Sequence, residues 1–230
     1  MFGSSNVRLD DVTIVCVTGI HIDDAHAALQ RSMAALQFKR ALLIASTAPS
    51  KLDPRIEWIR IPPMSKAGYS RFMLKELHFY IETAYCLVVQ ADGYVLNPER
   101  WNPAWLDWDY IGAPWPTQMR AGPYVIPLTN RVGNGGFSLR SRRLLQAVAP
   151  INLATLHYPT NAEDMIICHL LHDYLVGQGV RYADMETAAS FSIEHPEVTL
   201  GHTLETVFGF HGHFFLPEVL ARQHARASNT

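Results

Sequence analysis

Apolar runs in alternation with one helical stretch restrict this chain to few architectures. Val12 to Ile20 (VTIVCVTGI) is an unbroken, β-branched run, the pattern of a strand buried on both faces. Asp23 and Asp24 offer N-caps for an Ala-rich helix over roughly residues 24–37. Ala41 to Ser46 reads as a second strand, and Ile56 to Ile61 as a third, closed by Pro62 and Pro63. Strand, helix, strand in that order predicts an α/β chain with a parallel sheet.

The next stretch extends the pattern. After Gly68, the residues Tyr69, Phe72, Met73, Leu77, Tyr80, Ile81 and Ala84 recur at helical spacing and predict one amphipathic helix. Tyr85 to Val89 is the following strand, and it runs into Gln90-Ala91-Asp92-Gly93. Open α/β sheets bind ligands at the carboxyl ends of their strands, so Asp92 stands where function is expected. Between residues 97 and 127 helical periodicity is lost, and four of the five tryptophans fall there among many prolines. This reads as a loop-rich segment with short strands. Trp101, Trp105, Trp108 and Trp115 are candidates for a flat sugar-facing wall or for ordinary packing, with Asp107 and Asp109 beside them.

Farther on, FSLR is a short strand, Ser141 starts a helix to about Val148, and another helix starts near Asn161. Ala188 to Ile193 is expected as a strand, and residues 221–230 as a flexible tail after a domain of residues 1–220. No internal repeat or second domain is visible.

Composition removes several function classes. Hydrophobic residues are 48% and charged residues 17%, enough for a core and too apolar for general disorder. The net charge of −2, with no Lys/Arg run, speaks against a nucleic-acid partner. Cys16, Cys86 and Cys168 each lie in apolar surroundings and cannot all pair, which favours a reducing compartment. With no signal-peptide pattern and no run long enough for a transmembrane segment, a cytoplasmic location is expected, with peripheral attachment to a membrane left open.

Four constellations carry chemistry, each with a plainer alternative. Asp92-Gly93 suits a carboxylate holding a divalent cation, or a simple turn. Glu163-Asp164 suits a general base with its neighbour, or the capping box Thr160-x-x-Glu163. His211 and His213 flank a glycine in an aromatic setting and suit metal ligation. Cys168, His169 and His172 lack the second half of a zinc site. The cluster Gly133-Asn134-Gly135-Gly136 matches neither a P-loop nor a dinucleotide fingerprint, which also counts against an NAD-dependent oxidoreductase.

The order of these strings is more specific than any one of them. YSRFMLK at residues 69–75 is followed by QADGYVLNP at 90–98, NGGFSLRS at 134–141, EDM at 163–165 and FGFH at 208–211. This arrangement resembles metal-dependent glycosyltransferases of the GT-A fold, in pattern the beta-1,3-galactosyltransferase and Fringe-like families. It is most similar to a family of predicted glycosyltransferases with Gln-x-Asp-Gly, Asn-Gly-Gly-Phe-Ser-Leu-Arg and Phe-Gly-Phe-His strings. The resemblance implies a single GT-A-like (Rossmann-like) domain with a mixed, mainly parallel central sheet flanked by helices.

Carried over by position, the resemblance implies that Asp92 and His211 hold a manganese or magnesium ion. Asp164, with Glu163 beside it, would be the base toward the acceptor hydroxyl. Thr18, Gly19, Tyr69, Lys75, Gln90, Ala91, Gly93, Asn134, Gly135 and Gly136 would form the donor side, and Trp115 and His213 the acceptor side. The implied reaction moves a sugar from a nucleotide-sugar donor, a UDP-sugar, to a glycan or other hydroxyl acceptor with inversion. Gln90 departs from the pattern, standing where the first acid of Asp-x-Asp would be, and an amide cannot supply that charge. The alternative is a non-catalytic nucleotide-sugar or glycan-binding module on the same fold.

Overall fold

Burial on both faces places the run at residues 12–17 in the middle of a sheet, and the rest of the architecture is arranged around it. The computed structural model describes residues 7–227. From the N-terminus run β1 (Val7–Thr18), α1 (Ile22–Ser32), β2 (Leu36–Ala45), β3 (Glu57–Arg60), α2 (Lys66–Lys75) and β4 (Tyr85–Val88). Then come β5 (Tyr110–Ile111), β6 (Ala113–Pro114), β7 (Gln118–Ala121), β8 (Tyr124–Pro127), β9 (Val132–Gly133), β10 (Ser138–Ser141) and α3 (Arg142–Val148). The remainder holds α4 (Glu163–Met165), α5 (His172–Gly177), α6 (Met185–Phe191), β11 (Ser192–Ile193), β12 (Gly209–Phe210) and α7 (Leu216–Ala227).

The six-stranded sheet has the order β3-β2-β1-β4-β10-β5. The first four strands are parallel, whereas β10 runs antiparallel to both β4 and β5. The fold is therefore mixed α/β, with a mainly parallel central sheet flanked by helices. Along β1 the side chains alternate between two cores, as the two-residue period of a strand requires. Ile14 and Cys16 join Leu29 of α1 and an aromatic group at Phe137, Phe191 and Phe208. Val15 and Val17 join Phe72 and Met73 of α2 and Leu145 of α3 on the opposite face. A separate cluster of Tyr94, Ile193, Phe210 and Val219 fastens α7 over β11 and β12.

Several local expectations change for physical reasons. Asp23 does not cap α1, because its carboxylate accepts the Ser50 N–H and hydroxyl, both at 2.7 Å; the cap position is His21 in a left-handed conformation. The helix expected over 69–84 ends at Lys75, and a 3₁₀ turn at Leu77–Phe79 takes the chain back toward β4 with Leu77 and Ile81 still buried. Residues 185–191, partly expected as a strand, form α6 because the Asp184 carboxylate caps the Thr187 N–H at 2.7 Å; only Ser192–Ile193 is extended. The helix expected from Asn161 is interrupted by a π-helical turn at Ile166–Leu170. Residues 221–227, expected as tail, continue α7, and Arg222 pairs with Glu205 and Glu218; positions 228–230 lie outside the described residues.

Among the described residues, no helix is long and apolar enough to cross a membrane. Cys16, Cys86 and Cys168 are free and buried. The tryptophan-rich segment contributes core. Trp105 is 3% exposed and meets Trp101, Phe191 and Phe208 with ring centroids 5.5, 5.1 and 5.2 Å away. Trp105→Ala removes the centre of this cluster and should cost about 3–5 kcal/mol. Denaturant unfolding measures it, and an unchanged midpoint would contradict the packing role.

Candidate active site

The chain leaves β1 toward β2 and β3 on one side of the sheet and returns to place β4 on the other. β1 and β4 thus flank a point where the direction of winding reverses, and open α/β sheets bind ligands outside the carboxyl ends of strands at such a point. A cavity of about 720 Å³ lies there. Thr18 and Gly19 line it from the end of β1, and Gln90, Ala91 and Asp92 from the end of β4. Ser65, Lys66 and Tyr69 reach it from the start of α2, Arg31 from α1, and Leu216 and Leu220 from α7. Six of the residues singled out in the sequence therefore share one wall.

The loop after β4 is pinned by a reciprocal pair of backbone bonds, Gln90 N–H to Gly93 O at 2.9 Å and Gly93 N–H to Gln90 O at 3.0 Å. This turn aims three polar groups at one another. His211 Nε2 lies 3.5 Å from an Asp92 carboxylate oxygen and 3.3 Å from Gln90 Oε1. The Gln90 amide N–H donates to the Tyr69 hydroxyl at 2.8 Å. On its other edge, His211 Nδ1 is 3.0 Å from Glu194 Oε1, and Trp115 Nε1–H donates to Glu194 Oε2 at 2.9 Å.

Backbone bonds fix the imidazole from both directions: His211 N–H to Ile193 O at 3.0 Å, and Gly212 N–H to Asp92 O at 2.9 Å. Glycines make the room. A Cβ on Gly136 would lie 2.0 Å from His211 Nε2, and one on Gly93 would lie 2.8 Å from the ring. Burial alone would lower the His211 pKa, but hydrogen bonds to Asp92 and Glu194 and their charges outweigh it and raise it to about 10. The His211 hydrogen bond, in turn, holds the Asp92 carboxyl below its usual range.

A second acid stands on a different footing. Arg140, wholly buried in β10, pairs through Nη2 with Glu163 at 3.0 Å and also donates to Gly135 O at 3.2 Å. Glu163 is itself 5% exposed, so its carboxylate serves this ion pair. A Cβ on Gly135 would come within 2.5 Å of it. Asp164, next along, accepts backbone N–H bonds from Gly135 at 3.0 Å and from Met165 at 2.7 Å. Burial first, then the charges of Glu163 and Glu194, lifts the Asp164 pKa to about 7. A carboxyl with that value can exchange a proton near neutrality.

Other expected site residues are used elsewhere. Lys75 Nζ donates to the carbonyls of Ala149 at 3.0 Å and of Ile151, closing the end of α3, and it does not line the cavity. Trp115 is 1% exposed and presents no face to a sugar; its indole N–H holds Glu194. Asp109 is buried, accepting Ser141 Oγ–H at 2.6 Å and Arg181 N–H at 2.9 Å, which removes it from the acceptor side. Glu163 makes no capping box, since Ala162 occupies the cap position without a side-chain bond. His213 is exposed beside Phe214. Asn134 adopts φ 111° and is buried, its Oδ1 accepting the N–H groups of Gly136 and Phe137 at 2.9 and 3.1 Å. Asn134, Gly135 and Gly136 thus shape the wall that receives His211 and Glu163.

Sequence reasoning passed over Glu194, Arg140, Arg31 and Lys66. Glu194 follows β11 directly, so the strand-end argument applied to Asp92 would have found it. Arg140 stands in a strand whose four residues are all buried, and a cation there requires an acid. Among the described residues, no group of three or more His, Cys, Asp or Glu side chains gathers as a metal-holding cluster.

Arg140→Met should destabilise the protein by about 3–5 kcal/mol by leaving Glu163 buried without its counter-ion. Replacing both partners, Arg140→Met with Glu163→Leu, should recover most of the loss. Equal destabilisation in single and double variants would refute the pairing energetics.

No curated protein matches the chain in sequence. Among solved structures, the fold is similar to galactosyltransferase LgtC in complex with donor and acceptor sugar analogs, 15% identical over 86% of each chain with a TM-score of 0.46. It is also similar to an active-site mutant of LgtC, 14% identical over 86% of each chain with a TM-score of 0.48. A family model described as a protein of unknown function, DUF5672, matches residues 56–211, the stretch from just before β3 to His211. The chain belongs to that family.

Proposed function

We propose that the protein is a glycosyltransferase with a GT-A-like site that transfers a sugar from a UDP-sugar to a hydroxyl acceptor, with inversion at the anomeric carbon. The observation that carries this reading is the convergence of Asp92, Gln90 and His211 beside a cavity at the β1–β4 switch point. The cavity suits a nucleoside diphosphate in size, with Arg31 and Lys66 supplying positive charge on its walls. Thr18, Gly19, Tyr69, Gln90 and Ala91 would contact the donor. Burial, with the charge of Glu163 adding to it, raises the Tyr69 hydroxyl well above its ordinary pKa, so it keeps its proton for donation.

The donor set is compatible with a divalent ion. Asp92 and His211 Nε2 face each other, and the second ring nitrogen of His211 is held by a carboxylate, the arrangement that orients metal-bound histidines. Two protein ligands suit manganese or magnesium, which usually take further ligands from substrate phosphates. Asp92 would hold the ion together with His211 once that ring gives up its Nε2 proton, and the ion's charge would offset that developing on the departing diphosphate.

Asp164 would take the proton from the acceptor hydroxyl as that oxygen attacks the anomeric carbon opposite the leaving group. Its carboxylate is held by backbone N–H groups of Gly135 and Met165, which leaves it free of a salt bridge. His213, exposed beyond His211, remains the acceptor-side candidate. Three free, buried thiols favour a cytoplasmic setting.

Calorimetric titration with UDP tests the donor site. Manganese should tighten UDP binding in the wild type, and Asp92→Ala should abolish that tightening. Absence of UDP binding with or without manganese would sink the reading.

Turnover tests the base. Asp164→Asn should lower kcat by about 10²–10⁴-fold with UDP affinity retained. Because Asp164 must be ionised to accept a proton, kcat should fall about tenfold per pH unit below pH 7 and level off above it. A product of retained anomeric configuration, read by proton NMR, would overturn the inverting assignment. UDP binding without transfer or donor hydrolysis would favour the non-catalytic binding module, for which Gln90 in place of an acid is the supporting feature.

A further inference from the structure

Glu194 is a carboxylate that the transfer reaction does not itself require, yet both of its oxygens are engaged. Its two oxygens face different partners. Oε2 accepts the Trp115 indole N–H at 2.9 Å, and Oε1 lies 3.0 Å from His211 Nδ1. Trp115 is wholly packed, and the absence of a side chain on Gly133 lets its ring lie against that backbone. A packed donor therefore fixes a half-buried carboxylate, and the carboxylate in turn fixes one edge of an imidazole.

The consequence lies on the opposite edge of the ring. With Nδ1–H directed at Glu194, Nε2 is left facing Asp92 and Gln90, in the room that the missing side chains of Gly136 and Gly93 provide. Glu194 itself does not line the cavity. From this geometry we infer that Glu194 is a positioning residue, which holds His211 so that Nε2 points to the place where Asp92 meets the donor diphosphate and its cation. The inference rests on the donor reading given above for the cation, and on the hydrogen-bond geometry alone for the ring.

Two measurements keep those dependencies apart. The first is calorimetry of UDP with and without manganese on wild type, Glu194→Gln, Glu194→Ala and Trp115→Phe. The manganese-dependent tightening should fall about 10–100-fold in the Glu194 variants, while UDP alone binds as in the wild type. Trp115→Phe, which removes the indole N–H together with part of the ring, should show a smaller loss in the same quantity. Glu194→Gln, close in volume, guards against misfolding of the alanine variant. Undiminished manganese-dependent tightening in both Glu194 variants, with Asp92→Ala lacking it, would overturn the inference.

The second is nitrogen-15 NMR of the His211 ring in the metal-free protein. A protected Nδ1–H signal is expected in the wild type, lost in Glu194→Ala and partly kept in Glu194→Gln, whose amide oxygen can still accept. The same signal in wild type and Glu194→Ala would overturn the positioning role. If the wild type shows no manganese-linked UDP binding, the donor reading fails and the ring signal alone decides whether Glu194 orients His211.

Discussion

A guanidinium buried inside a sheet strand must find a carboxylate, and much of the site follows from how this chain meets that demand. Arg140 stands in β10 with no exposure, where an unpaired charge would be costly. Its partner, Glu163, is the first residue of α4, so the ion pair ties the central sheet to the start of a separate helical segment. Once Glu163 is fixed, Asp164 has little freedom. Its carboxylate meets the Gly135 N–H, and Gly135 O receives a second donor from the same arginine. One buried pair thus sets the position of the carboxyl proposed as base.

Space is the second constraint, and glycine provides it. His211, Glu163 and Trp115 each lie where a β-carbon on Gly136, Gly135 or Gly133 would stand. The three glycines therefore admit three large side chains against one stretch of backbone. This is a packing explanation for a glycine-rich string that carries neither phosphate-loop nor dinucleotide spacing. It also explains why Asn134, between them, tolerates a positive φ: its side-chain oxygen receives two backbone N–H groups that the bend would otherwise leave unpaired.

The sheet was legible in the sequence because burial on both faces of β1 and of the second half of β2 leaves unbroken apolar runs, and the strand-end rule then located Asp92. Where helices stop was less legible. Lys75 continues the helical pattern in composition, yet its ammonium is drawn to the open carbonyls after α3, more than seventy positions away in sequence. Asp23 likewise has the form of a cap and is claimed by Ser50. The tryptophan segment misled for a related reason. Large aromatics between prolines suit an exposed platform or a buried plug equally well, and only the position of Phe191 and Phe208 decides for the plug. Glu194 was within reach of the strand-end rule, since the strand expected over Ala188–Ile193 ends directly before it, and β11 does keep Ser192–Ile193 extended.

Charge accounting around the cavity distinguishes the roles of its acids. Asp92, Glu163, Asp164 and Glu194 lie near one another, and two cations stand among them, the buried Arg140 and the half-buried His211. Arg140 takes Glu163. His211 lies between Asp92 and Glu194, so one imidazole serves two carboxylates. Asp164 alone is left with backbone N–H groups and no cation, while burial and the charges of Glu163 and Glu194 act against its ionised form. Its raised pKa follows from that shortage of positive charge, whereas His211 keeps Asp92 ionised and ready for a cation. Environments that push neighbouring carboxyls apart in this way suit them to different work, and on the function proposed here Asp92 would bind and Asp164 would move a proton.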